Sequence, residues 1–413
     1  RGCRMYGLTP DLVEFLLTPR AATALEELRV ADLEDTLGLL TRLRKRFSQA
    51  EAAVLLDQAY LRRKATRKFP QADRLLFIDE ALEQATGRAV ATYRAQFLLD
   101  TGVETVADLG CGIGADTIAM AEAGLHVLAV ELDPVRARLA EANAAALGFA
   151  GRVRVLCADW TGLAFSGDTA VSAAFVDPAR RVGDRQGGRA RTWHLDDMVP
   201  PLSAIAALRE GVPDVMVKAA PGIALDEVPP EAEVAFIAEG IRLKEAQLRF
   251  GGLRRGQSRS AVVLPGPQEL LPGATGRLSP TDGSTVDVRE PQAVLYEPNP
   301  AVLRAGLVRT LAARLGAGQL DPTIAYLTAE TSVTTPFARA WHIVRHGPFG
   351  LKALNRWLRD AGAGRVVVKK RGAPIDPDAF RKRLKTTRGG PEMTVFITRV
   401  DGRPWMVLCG EEC

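Results

Sequence analysis

The chain has 413 residues, enough for two or three domains with complete cores. Its 47% hydrophobic and 25% charged residues are those of a globular protein, and no apolar run approaches the roughly 20 residues that a membrane helix needs. Five cysteines, at 3, 111, 157, 409 and 413, lack the paired spacing of a zinc site or a disulfide frame; with no signal-peptide segment, the expected localisation is cytoplasmic.

Residues 8–65 read as helices. Pro10 and Asp11 precede the apolar run Leu12-Val13-Glu14-Phe15-Leu16-Leu17, and Pro19 stops or restarts it. Further helical spacing runs from Ala22 to Leu28, Leu33 to Phe47 and Gln49 to Lys64. This predicts a helical domain over residues 1–72. The basic cluster Arg62-Arg63-Lys64 with Arg67-Lys68 reads as the solvated last turn of a helix, with a nucleic-acid face as the alternative. A helix is expected from Asp79 to Thr86, with Gly87 as its C-cap, and another from Thr92 to Leu99.

The stretch Val106-Ala107-Asp108-Leu109-Gly110-Cys111-Gly112-Ile113-Gly114-Ala115-Asp116-Thr117 carries the most information. A short apolar strand meets an acid, then three alternating glycines, then a helix. Glycine lets bare backbone approach a ligand, and strand ends of open α/β sheets are where ligands bind. Two ligands compete for such a turn, a dinucleotide and S-adenosylmethionine. The dinucleotide fingerprint needs a last glycine three residues after the second, and none stands at 115. Asp108 would repel a pyrophosphate and attract a sulfonium and an amino group.

Three further strand ends follow in order. Val127-Leu128-Ala129-Val130 ends in Glu131-Leu132-Asp133-Pro134, where a carboxylate suits two ribose hydroxyls. Val153 to Cys157 precedes Asp159, an acceptor for an adenine amine, and Trp160, a cover for its ring. Ala173-Ala174-Phe175-Val176 runs into Asp177-Pro178-Ala179-Arg180. A fifth strand ends Val215-Met216-Val217-Lys218.

On these motifs, residues 90–265 resemble the class I S-adenosylmethionine-dependent methyltransferases, and Gly-Ile-Gly-Ala-Asp-Thr with Val-Glu-Leu-Asp-Pro is similar to the trimethylguanosine synthase branch. The whole chain, with Lys369-Lys370-Arg371-Gly372, resembles bacterial RNA methyltransferases carrying a C-terminal THUMP-like domain. The resemblance implies an α/β fold: a Rossmann-like sheet over 73–265, preceded by the helical domain. An α+β, ferredoxin-like module over 266–333 and a THUMP-like module over 334–413 would follow. It implies S-adenosylmethionine as cofactor and RNA, either tRNA or rRNA, as partner, with no membrane and no metal. The cofactor residues expected are Tyr93, Asp108, Gly110, Cys111, Gly112, Gly114, Thr117, Glu131, Asp133, Asp159, Trp160 and Asp177.

For the chemistry, Asp177 and Pro178 stand where amino-directed methyltransferases carry an Asp/Asn/Ser-Pro-Pro-aromatic motif. Ala179 and Arg180 depart from it, and Trp193 is the candidate substitute for the stacking aromatic. The expected acceptor is therefore a base nitrogen. The alternative is a ribose 2′-oxygen activated by Asp177 with Lys218. A non-catalytic RNA-binding protein and a non-RNA methyltransferase are the readings from other classes. Arg181, Arg185, Arg189 and Arg191 form a basic loop fit for phosphates.

The Pro265-Gly266-Pro267 linker closes the sheet, whose last strands were expected to form an antiparallel pair. Residues 337–413 then alternate strand, helix, strand, helix, strand, strand. Residues 334–413 contain sixteen lysines and arginines against seven acids, so the net +5 of the chain leaves −4 for everything before them. Such localised charge points to a polyanion. His342 and His346 lack a third metal ligand.

Overall fold

The computed structural model describes residues 7–180, 194–195, 198–266, 275–281 and 286–413. The chain forms two compact units. The first contains residues 1–233 and 247–256, and the second contains 234–246 and 257–413.

The first unit opens with α1 (Pro10–Leu16), α2 (Pro19–Arg29), α3 (Thr36–Leu43) and α4 (Gln49–Ala65). Each start has a local cause. Thr9 and Thr18 cap α1 and α2, each followed by proline, whose fixed φ and missing N–H suit the first helical position. Asp35 caps α3, and Ser48 with Glu51 makes a reciprocal capping box on α4. Next come α5 (Asp79–Gln84) and α6 (Arg88–Asp100). Gly87 is the N-cap of α6; the C-cap of α5 falls earlier, at Ala85. The glycine read as a stop is therefore a start.

The catalytic sheet follows, with β1 (Thr105–Leu109), α7 (Ala115–Ala123), β2 (His126–Glu131), α8 (Pro134–Ala146), β3 (Val153–Cys157) and β4 (Ala173–Val176). A two-residue ribbon pairs β5 (Ala179–Arg180) with β6 (Met198–Val199), and α9 (Leu202–Gly211) leads to β7 (Val215–Ala219). Within this unit the strands lie in the order β3-β2-β1-β4-β7, all parallel. The chain builds outward from β1 to β3, then returns to the other side of β1 as β4. That reversal lies between β1 and β4, and such a switch point opens a crevice at the strand ends.

The helices α1 to α5 pack against the glycine loop and α8. Their core, with Leu25, Leu55 and Phe77, is continuous with Ile113 of the glycine loop and Leu139 of α8. Buried Asn143 of α8 fixes the junction. Its side chain accepts from Leu76 N–H and donates to the carbonyls of Leu76 and Ile113.

The chain continues through β8 (Glu233–Glu239) and β9 (Arg242–Arg249) to β10 (Arg259–Leu264) and β11 (Gly276–Leu278). Neighbouring β8 and β9, joined across Gly240 and Ile241, form the expected antiparallel pair; β10 runs parallel to β8 and antiparallel to β11. Residues 234–246 and 257–265 cluster with the second unit, whereas the sequence boundary stood at 265. One tie is Asn299, whose amide donates to the Gly240 carbonyl at 2.9 Å.

The second unit adds β12 (Val294–Pro298), α10 (Pro300–Arg304), α11 (Val308–Leu315), β13 (Gly318–Asp321) and β14 (Ile324–Ala329). It ends with β15 (Ala338–Pro348), α12 (Leu351–Asp360), β16 (Arg365–Lys370), α13 (Pro377–Arg381), β17 (Glu392–Val400) and β18 (Arg403–Glu412). Seven strands form one sheet, in the order β13-β14-β12-β15-β18-β17-β16. The sheet runs across residue 334, because β12 and β15 pair over five residues.

Candidate active site

The glycine loop owes its path to its sequence. Gly110, Gly112 and Gly114 all have positive φ, at 88°, 59° and 89°. At Gly110 a side chain is also excluded by space, since a Cβ would lie 3.0 Å from the Asp177 carbonyl. The end of β1 and the end of β4 thus touch through bare backbone. At Gly112 a Cβ would meet nothing within 4 Å, so the middle of the loop faces open space.

Asp108 is buried at the end of β1 and accepts a hydrogen bond from the Thr117 hydroxyl of α7. Its other oxygen, Oδ1, is buried with no hydrogen-bond partner among the described residues. Burial pushes its pKa from 3.8 to about 6; Thr117 and Arg94 oppose the shift, and the charges of Asp177 and Glu131 reinforce it. A buried carboxylate oxygen without a donor is costly, and a donor from a bound molecule would satisfy it.

Glu131, at the end of β2, uses both oxygens locally. Oε2 accepts from Gly112 N–H at 2.8 Å and Oε1 from Asp133 N–H at 3.0 Å. Asp133 caps α8, accepting from Arg136 N–H. Cys111 is buried, and burial holds its thiol well above the usual range, so it packs as a small apolar side chain. Asp159 is exposed and accepts from both the N–H and the hydroxyl of Thr161, which lowers its pKa. Trp160 beside it is buried. Their strand is in register with the end of β2, Glu131 opposite Cys157.

Asp177 and Lys218 meet. The register of β4 and β7 aligns Val176 with Val217, so the next residues of the two strands stand side by side. Lys218 Nζ lies 2.7 Å from Asp177 Oδ2. Pro178 follows, half-buried. Trp193 and the arginines 181, 185, 189 and 191 lie outside the described residues. Tyr93 belongs to another cluster: its hydroxyl accepts from Arg249 at 3.1 Å.

Sequence reading places Arg94 beside Tyr93 at the cofactor edge and misses Thr86 and Asp116; all three lie behind this pair instead. Arg94 of α6 is fully buried, ion-paired to Asp116 at the start of α7, with its guanidinium 4.0 Å from the centre of the Phe175 ring. Thr86 donates to the other oxygen of Asp116 at 2.7 Å. The sequence shows a carboxylate two residues past the last glycine, but nothing local says which side of the helix it takes.

Three comparisons bear on this geometry. Residues 106–181 match the family model described as a methyltransferase domain. Residues 338–411 match the one described as THUMP domain-like, and 9–65 match a domain of unknown function. An uncharacterized S-adenosylmethionine-dependent methyltransferase of Mycobacterium tuberculosis, found alike in two strains, is 35% identical over 371 residues. That match covers 87% of this chain and 95% of the relative. The chain belongs to the S-adenosylmethionine-dependent methyltransferases. A crystal structure assigned as a methyltransferase of Porphyromonas gingivalis shares the fold, at TM-score 0.76 and 21% identity, covering 98% of this chain and all of that one.

The enzyme's cofactor is S-adenosylmethionine, and the residues present fit it. The loop is bare and open at Gly112, and the buried Asp108 oxygen lacks a donor. The described residues contain no group of side chains able to hold a metal ion, and no helix among them is long and apolar enough to cross a membrane.

Proposed function

We propose that this methyltransferase acts on RNA, modifying a nucleotide held at the ends of β4 and β7. The RNA reading is carried by one observation, the exposed basic face of the second unit. Lys352, Arg356 and Arg359 line the exposed side of α12, whose opposite side buries Leu354 and Leu358. Lys382, Arg383, Lys385 and Arg388 follow α13. None of these seven has an acidic partner among the described residues. Asn355 joins the two groups, donating to the Arg383 carbonyl and accepting from Lys385 N–H. Unpaired cations on one surface suit phosphates, whose counterions they release. The match to a THUMP-like model over 338–411 supports the same reading.

For the cofactor, we assign the loop backbone of Gly110, Cys111, Gly112 and Gly114 to close contact. Asp108, steadied by Thr117, takes the cationic end. Glu131, oriented by Asp133, takes the ribose hydroxyls; Asp159 and Trp160 take the adenine. When bound, the cofactor supplies an electrophilic methyl on its sulfonium. The protein's part is to align the acceptor behind that methyl and exclude water.

The acceptor in this reading is a base nitrogen. An exocyclic amine is a poor nucleophile, because its lone pair is delocalised into the ring. Among the described residues Asp177 Oδ1 has no hydrogen-bond partner, so it is available to accept an amine hydrogen. A ribose 2′-oxygen is the second reading, favoured by the 2.7 Å approach of Lys218, which could take the hydroxyl proton beside Asp177. Incubation with methyl-tritiated cofactor and total RNA from cells lacking the enzyme tests both. Label is expected in RNA with the native protein and not with Asp177→Ala. Nucleoside digestion then separates base from ribose. No label in any RNA fraction, with cofactor binding intact by calorimetry, overturns the RNA reading.

A further inference from the structure

The Asp177–Lys218 pair does not stand alone. Lys218 Nζ has a second acceptor, Thr86 Oγ1, at 3.4 Å. The direction of that bond follows from proton counting. A hydroxyl has one hydrogen, and Thr86 donates it to Asp116 Oδ2 at 2.7 Å, a carboxylate that only accepts. Thr86 therefore meets Lys218 with a lone pair. The other oxygen of Asp116 is held by Arg94, and the Arg94 guanidinium stacks on Phe175, two residues before Asp177 on β4. The chain of contacts starts at Asp177, one residue past the end of β4, and returns to β4 at Phe175.

We propose that Thr86 is a positioning residue for methyl transfer, pinning the Lys218 amine against Asp177 through its bond to Asp116. This rests on the reading that the acceptor is methylated at Asp177. Three features support it. Thr86 comes from the connection between α5 and α6, 132 residues before Lys218 in sequence, so the contact is a product of the fold. Thr86 and Asp116 are buried and Arg94 fully so, which makes the anchor rigid. The two acceptors also use two of the amine's tetrahedral directions. Beside Cε one direction remains, an N–H that can meet an acceptor atom when Lys218 is ammonium and a lone pair that can take its proton when Lys218 is amine. Thr86 touches no reacting atom; it acts through Lys218.

The test uses the full-length enzyme with Thr86→Val, which keeps the shape and loses the hydroxyl, and Thr86→Ser, which keeps it. With RNA as acceptor, Thr86→Val is expected to lower kcat about tenfold or more, with cofactor affinity within about twofold of native. Thr86→Ser is expected to restore the rate to within about threefold. Equal loss in both variants, or native kcat in Thr86→Val, overturns the proposal. A second readout needs no RNA. Trace acetylation at fixed pH, read by peptide mass spectrometry, reports the reactivity of the Lys218 amine. It is expected to change severalfold in Thr86→Val and not in Thr86→Ser. Unchanged Lys218 reactivity in Thr86→Val overturns the positioning role even where no RNA is labelled. Changed reactivity without RNA labelling sustains the positioning and removes only the RNA reading.

Discussion

Arg94 and Arg356 are the same side chain in opposite circumstances. Arg94 lies under the catalytic strand, without exposed surface, paired with Asp116 and stacked on Phe175. Arg356 stands on the open side of α12 with no acid beside it among the described residues. A buried charge is tolerated only when paired, and once paired it fixes geometry. An exposed unpaired charge fixes little and remains available to a polyanion. The first unit uses its cations to hold an active site in shape, and the second displays them.

The sharpest way to break this contrast is to remove the buried cation. Arg94→Met leaves Asp116 buried without its ion-pair partner and is expected to destabilise the protein by about 3–5 kcal/mol, measured by urea unfolding. A loss below about 1 kcal/mol would mean that water reaches the pair.

A smaller effect comes from Asp108. Its pKa is 3.8 in an unfolded chain and about 6 when folded. Between those values the folded state holds a proton that the unfolded state has released. Stability of the cofactor-free protein therefore falls as pH rises through that window, on the order of 3 kcal/mol in total. Asp108→Asn is expected to flatten the dependence. Cofactor affinity runs the other way, rising as the pH passes about 6, because the ionised carboxylate attracts the cationic cofactor. Calorimetry across that range reads both signs.

Gly110→Ala forces a side chain into positive φ and against the Asp177 carbonyl. The expected cost is about 1–3 kcal/mol, seen as weaker cofactor binding and lower stability together. The smallest effects belong to the exposed cations taken singly. Arg356→Ser is expected to leave the melting temperature unchanged and to reduce the slope of log affinity for RNA against log salt by about 0.7–0.9. Arg304→Ser, on α10, is the matched change of charge off the basic face, and the slope should stay put.

Much of this was readable beforehand, and the unread part has a physical pattern. The glycine loop was legible because positive φ admits few residues, and the strand ends because an acid after an apolar run is conspicuous. The β-α-β-α-β-β order from β15 to β18 was legible from apolar alternation. Asp116 was invisible because nothing local says whether an acid after a glycine loop faces water or Arg94. Thr86 was hidden by distance in sequence, as was the pairing of β12 with β15 across residue 334. Gly87 shows a local ambiguity: the same residue suits the end of one helix and the start of the next, and only the turn between them decides.

Asn143 binds the helical layer and the glycine loop with one side chain, and Ile113 of that loop is packed into the helical core. The helices of residues 9–65 are therefore no detachable appendage. A transplant of this catalytic sheet into another chain that left them behind would bring Ile113 and Leu139 into water and slacken the turn that cradles the cofactor. Anyone dividing the gene into modules should cut after these helices have been kept with the sheet, and treat the first 256 residues, less the excursion at 234–246, as one heritable piece.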